Sequence, residues 1–189
     1  MMKSKQANFL VTLILLVVLL TSFSFDNNLY FTNSGKVSFV SEAPLELIKA
    51  SSNKLAGILN ITDKEFSFSV QMKSFEGFNS PLQKVHFNEN YIESDKFPDA
   101  KFKGKIIEDI NFTTPGVYKV RAKGKFSIHG KENPMTIRCD LEVTKSEILV
   151  SSVFSVMLKD HDIQIPTIVN QKLAEKIDVT VKFTLKQKK

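Results

Sequence analysis

From Tyr118 to His129 the chain alternates without a break. Tyr118, Val120, Ala122, Gly124, Phe126 and Ile128 are apolar or small, and Lys119, Arg121, Lys123, Lys125, Ser127 and His129 separate them. Successive strand side chains point to opposite faces, so twelve residues of period two predict one long strand with a dry face and a wet face. A second run follows: Met135, Ile137, Cys139, Leu141 and Val143 against Thr136, Arg138, Asp140, Glu142 and Thr144. Between them, His129 to Pro134 contains Gly130, Asn133 and Pro134 and reads as the loop of an antiparallel hairpin. With Ile128 placed opposite Met135, Phe126 faces Ile137, Gly124 faces Cys139 and Ala122 faces Leu141. On the wet face Lys123 then meets Asp140 and Arg121 meets Glu142.

The same period recurs elsewhere. Ile177, Val179, Val181, Phe183 and Leu185 alternate with polar residues. So do Phe66, Phe68 and Val70, and so do Ala100, Phe102, Gly104 and Ile106. Residues 36–41, 45–50, 55–61 and 148–158 are β-rich but mixed in period, for eight or nine strands in all. Ser80 and Pro81 predict a helix start, since serine caps and proline at the first helical position loses no needed hydrogen bond. Leu82, Val85, Glu89 and Ile92 fall near one side of that helix. A second short helix is expected over 166–176, with Val169 and Leu173 one turn apart. No linker or composition shift divides the chain. Long half-wet strands need closure or a second sheet, because open edges invite aggregation. A single all-β domain of eight antiparallel strands closed into a barrel, with one or two short helices, fits best. A β-sandwich is the alternative and uses shorter strands.

The first residues read as an address. Lys3 and Lys5 precede Phe9 to Leu20, an apolar run broken only by Thr12, and Ser22-Phe23-Ser24 follows with small residues where a signal peptidase reads. A secretory signal peptide over 1–24 is expected, leaving a domain over 25–189 and taking the formal charge from +6 to +4 with the loss of two lysines. The alternative is a retained anchor, although the run to Phe25 sits at the lower edge of a bilayer span. No cysteine follows the run, which excludes a lipoprotein anchor.

Three separated stretches resemble the YceI-like family: His86-Phe87-Asn88-Glu89-Asn90-Tyr91-Ile92-Glu93-Ser94-Asp95-Lys96-Phe97-Pro98-Asp99-Ala100-Lys101-Phe102, Gly124-Lys125-Phe126-Ser127-Ile128-His129-Gly130, and Lys159-Asp160-His161-Asp162-Ile163-Gln164-Ile165-Pro166. The similarity runs from about Gly35 to Leu185. It implies an extended lipocalin-like barrel, exported to the periplasm or secreted, that binds polyisoprenoids or related long-chain lipids in its lumen. It also implies a helix carrying His86 and Glu89 near the barrel, leading through Phe97-Pro98 into the strand from Asp99. Ser94 and Asp95 are then expected to satisfy backbone groups where helix meets strand.

The residues themselves point away from catalysis. A single cysteine, Cys139, lies on an inward face and reads as a small hydrophobe. Three histidines, the pair His86 and Glu89, and the acidic run Asp160 to Asp162 do not amount to a metal centre. No phosphate loop or nucleophile elbow is present, so no enzyme activity, cofactor or metal is expected. Lys101, Lys103, Lys105, Lys119, Arg121, Lys123 and Lys125 form a basic stripe, read chiefly as solvated and locally paired. It lacks outward aromatics, so nucleic acid is not an expected partner; the alternative to solvated pairing is transient contact with a membrane surface of anionic lipid or with a negatively charged partner. The expected ligand site is the lumen: Phe68, Phe102, Val120, Ala122, Gly124, Phe126, Ile137, Leu141, Val181 and Phe183, with His86 and Asp95 at a polar mouth. The small Ala122 and Gly124 either leave room for a ligand or fit the taper of a filled barrel. The two functions in play are therefore a lipid carrier, store or sequestering protein, and a filled structural or stress-response barrel acting through a protein partner.

Overall fold

The structure, a computed structural model, describes residues 28–187. The expected leader over 1–24 and the three residues after it lie outside the described residues. Eight strands run β1 Leu29–Glu42, β2 Leu47–Asn60, β3 Glu65–Gln71, β4 Asp99–Ile106, β5 Gly116–Ile128, β6 Lys131–Val143, β7 Glu147–Met157 and β8 Lys176–Gln187. Each pairs antiparallel with the next, and β8 pairs with β1, which closes the barrel and leaves no open edge. The two β-rich segments expected at 45–50 and 55–61 are one strand, β2. Their mixed period has a local cause: the β1–β2 register shifts twice, on either side of Gly35, and each irregularity breaks the alternation.

The β5–β6 hairpin is tighter than its composition suggests. Its turn is only His129-Gly130, with φ of 53° and 73°, the two positive values that a type I′ turn requires. The pairing therefore begins at Ile128↔Lys131, four residues away from the register expected with a six-residue loop. Pro134 misled that expectation. Counting from the pair that closes the turn, Lys125↔Pro134 is a non-hydrogen-bonded position, so the missing N–H points away from β5. On that side β7 begins to pair only at Cys139, so proline removes no ladder bond. An even slip keeps every side chain on its face. Ala122 opposes Ile137, Val120 opposes Cys139, and Lys119 rather than Lys123 meets Asp140.

The two longest connections, between β3 and β4 and between β7 and β8, lie at one end. Between β3 and β4 lie α1, Pro81–His86, and a π-helical turn, Phe87–Tyr91. Ser80 caps α1 as expected, its hydroxyl accepting from the Gln83 N–H at 3.2 Å. The side that packs inward differs from the expected stripe: Leu82 and Val85 are exposed, while Phe87, Tyr91 and Ile92 turn toward the barrel, because the wider π turn rotates the face. The helix expected over 166–176 reduces to a single 3₁₀ turn at Thr167–Val169.

At this same end the three family-like stretches meet. The His129 ring bonds Glu93 Oε2 at 2.9 Å through Nε2 and the His161 carbonyl at 3.0 Å through Nδ1. Phe97 lies over Gly130, where a Cβ would come within 2.4 Å of the ring. Glu93, His129 and Asp162 all hold positive φ here, and Lys131 ties Asp162 down at 3.0 Å. These side chains clasp the β5–β6 turn to the connections before β4 and after β7. Ser94 is buried at the joint, but its hydroxyl donates to the Asn88 side chain, Oδ1 at 2.9 Å, and not to the backbone group expected of it. Asp95 does not: it projects outward and pairs with Lys73.

Candidate functional site

Closure of eight strands leaves an interior cavity of about 550 Å³. Its wall is built by the inward positions of the alternating strands. Phe68, Phe102, Val120, Ala122, Phe126, Ile137, Leu141, Val181 and Phe183 all line it. Gly124 does not. It sits directly opposite Gly104 across β4–β5, and a Cβ on Gly124 would fall 2.1 Å from the Lys103 carbonyl oxygen. Its small size lets two backbones approach and makes no space in the lumen. Ala122, two residues earlier, opposes Ile106 and Ile137 and does face the cavity.

Within a largely aliphatic lining, phenylalanines gather in two groups. Phe66, Phe68, Phe102 and Phe183 form the deeper one, with ring centroids 4.9 Å apart for Phe66–Phe102 and 4.8 Å for Phe68–Phe183. The second surrounds Phe39, which stacks on Phe87 at 5.5 Å and 17° and also meets Phe75 and Phe78. This second group was not evident from alternation. Phe39 lies beyond the β1 irregularities, and Phe75, Phe78 and Phe87 come from the connection between β3 and β4. The only trace in the sequence was the count of 16 Phe with no Trp, an unusual supply of bulk lacking polar atoms.

Polar groups in the wall are few and quenched. Ser152 donates its hydroxyl to the Arg138 carbonyl at 2.7 Å. Burial pushes the Cys139 thiol above its ordinary range, and burial likewise raises the Tyr91 phenol. Both stay neutral at physiological pH, so the lining offers no charge to a ligand from these groups. His86 reaches the lining at the mouth beside Gln83 and Leu82, whereas Asp95 stands apart. His161 is buried in the clasp with its ring edge on Phe126, and burial lowers its pKa. Among the described residues, no three His, Cys, Asp or Glu side chains come together as a metal would need.

The outer wall carries the basic stripe. Lys101, Lys105, Lys119, Arg121 and Lys125 each have a carboxylate partner, at 3.5, 3.1, 3.6, 2.7 and 2.7 Å. Lys103 and Lys123 have none among the described residues. Exposed pairs of this kind contribute about 0–1 kcal/mol each, and here they neutralise the face more than they stabilise it.

Residues 30–185 match the YceI-like domain. The chain belongs to the YceI-like family. Solved structures share the barrel at low identity. A polyisoprenoid binding domain from Saccharophagus degradans, implicated in plant cell wall breakdown, superposes with a TM-score of 0.69 at 12% identity, covering 85% of this chain and 99% of that one. BcnA of Burkholderia cenocepacia gives 0.63 at 12% identity, over 79% and 95% of the two chains. The Campylobacter jejuni YCEI protein gives 0.55 at 15% identity, over 84% and 85%. No curated protein matches the sequence.

Proposed function

We propose that this YceI-like protein binds a polyisoprenoid or another long-chain amphiphile in its barrel cavity and holds it for transport, storage or sequestration. The observation that carries this is the cavity: about 550 Å³, lined chiefly by two phenylalanine groups and aliphatic side chains, with Ser152 bonded internally, Cys139 and Tyr91 neutral, and charge entering the lining only through Glu46, Lys101 and Lys172. Such a wall rewards hydrocarbon. Each buried CH₂ contributes roughly 0.8 kcal/mol, so a ten-carbon stretch supplies about 8 kcal/mol before ordering costs. The polar side chains available to meet a headgroup are His86, Gln83, Glu46 and Lys172. The barrel is read as a binding protein without a catalytic step. Export rests on the Lys3–Ser24 leader pattern. The polyisoprenoid assignment of the Saccharophagus degradans relative supports the ligand class.

Organic extraction of the purified protein followed by mass spectrometry tests this reading. A long-chain lipid in stoichiometric amount is expected. A clean extract, together with no binding of a fluorescent long-chain probe, would leave the cavity without a role and overturn it.

A further inference from the structure

The mouth of the cavity carries a second feature that the ligand reading does not use. Three segments frame it: the β1–β2 turn with the start of β2, α1, and the 3₁₀ turn at Thr167–Val169. Each places aliphatic side chains outward: Leu45 and Leu47 from the first, Leu82 and Val85 from the second, and Ile168, which is 91% exposed, from the third. The segments are tied into one platform. The Leu45 N–H donates to the Gln171 carbonyl at 2.8 Å, Gln83 donates to Glu46 Oε1 at 2.8 Å, and Asn79 donates to the Leu47 carbonyl at 3.0 Å. The Ala174 N–H donates to the buried Ser41 hydroxyl at 2.9 Å, which anchors the third segment to β1. Ile48 and Val169, next to the exposed residues, line the cavity, and Leu82 borders both cavity and solvent, so apolar surface runs from the lumen over the rim.

Of the other exposed apolar residues, Phe31 and Ile58 are cross-strand neighbours, and Phe31, Val117 and Leu149 line one pocket on the outer wall, set among polar and charged side chains. The rim is different because it is continuous with an apolar interior. It is also small. The five side chains expose on the order of a few hundred Å² of apolar surface, below the roughly 800 Å² per partner of a stable protein interface. A bilayer needs no matching patch and accepts shallow apolar insertions of this size. The rim carries both signs, as a phospholipid headgroup layer does. Lys49 and Lys172 flank it, exposed and without an ion pair among the described residues; Glu42, opposite Leu47, is exposed too, and Glu46 accepts from Gln83 but keeps its charge. Leucine and isoleucine at acyl depth with lysines at phosphate level is the arrangement a phospholipid surface complements.

We infer that the rim formed by Leu45, Leu47, Leu82, Val85 and Ile168 docks on a phospholipid bilayer, mouth toward the membrane. A long-chain ligand then passes between bilayer and cavity without crossing water. The inference rests on the cavity being a lipid site, but docking and loading are read separately in the experiment.

The chain contains no tryptophan, so a single introduced indole reports its own surroundings. The probes are Ile168→Trp at the rim and Val117→Trp, an exposed position at the opposite end of the barrel. Both are mixed with vesicles of phosphatidylcholine containing phosphatidylglycerol. Ile168→Trp should shift to the blue and be quenched by brominated acyl chains, and Val117→Trp should do neither. A Leu45→Ser/Ile168→Ser variant, which leaves the cavity lining intact, should lose about tenfold in vesicle partitioning. It should keep its co-purifying lipid and slow the transfer of a labelled lipid between vesicles. No change at position 168 overturns the docking inference even if lipid co-purifies. Equal shifts at 168 and 117, or vesicle binding that survives the double serine variant and is lost in Lys103→Glu/Lys123→Glu, assign docking to the outer wall and overturn it as well. A blue shift at 168 in a protein that extracts clean leaves docking in place and removes only the cargo.

Discussion

Replacing Ala122 by phenylalanine separates an open lumen from a filled one. Ala122 is almost fully buried, opposes Ile106 and Ile137, and borders the cavity. In a packed core, a ring at this position would force neighbours aside at about 1–3 kcal/mol or more. In a cavity of about 550 Å³ it has somewhere to go. The apo variant should therefore stay within about 1 kcal/mol of the parent, which for a domain of this size is a change in Tm of about 2–4 °C. Binding should suffer far more. A ring that displaces about four methylenes of ligand removes roughly 3 kcal/mol, a loss in affinity on the order of a hundredfold. The assay is a thermal melt beside a titration with a fluorescent long-chain lipid, both on protein stripped of ligand. A fall in Tm beyond about 8 °C would mean that the space is not usable volume. An unchanged affinity would mean that the ligand sits elsewhere, and either result would refute the reasoning.

Other consequences follow from single distances. Gly124→Ala should destabilise by about 2–4 kcal/mol despite its neighbour's tolerance, because its Cβ meets the Lys103 carbonyl at 2.1 Å and the β4–β5 ladder must open to admit it; a melt unchanged from the parent would refute that close approach. A double-mutant cycle should give Lys119 and Asp140 a coupling of about 0.2–1 kcal/mol that weakens with salt, and Lys123 and Asp140 nearly none; the reverse result would restore a six-residue hairpin loop. Burial lowers the His161 pKa, so the folded state binds fewer protons than the unfolded chain over that window, and stability present at neutral pH is lost as pH falls below about 6.5. Melts between about pH 7 and 5.5 should show this slope in the parent and a flatter one in His161→Gln, and a flat parent profile would count against it. Cys139, the one thiol, lines the cavity with a raised pKa, so it should react slowly with a thiol reagent and more slowly once lipid is loaded; a rate indifferent to loading would place the ligand away from β6.

Alternation alone carried the strands of β3 to β6 and β8, and with them the nine inward residues that line the cavity. That information is local: which face a strand residue occupies depends only on parity, and parity survives even a register error of four. Ser80 and Pro81 marked the start of α1 for an equally local reason, the cap bond to Gln83. What parity cannot carry is distance across the chain. Ala122 and Gly124 have the same face and nearly the same size, yet one borders open volume and the other lies against the Lys103 carbonyl, which depends on how closely β4 approaches β5. The β5–β6 register depended on a two-residue turn with positive φ at His129, a residue composition alone does not flag for that role, and on Pro134 falling where no ladder bond was needed. The phenylalanines around Phe39 come from β1 and the connection between β3 and β4, far apart in sequence and in no shared period. The clasp of Glu93, His129 and His161 likewise joins three stretches that could be recognised singly but whose contact exists only after closure. Sequence determined which side chains face inward, because that is a property of one strand. Closure of the barrel decided which of them touch, which leave space and where the mouth opens, because those are properties of strands meeting.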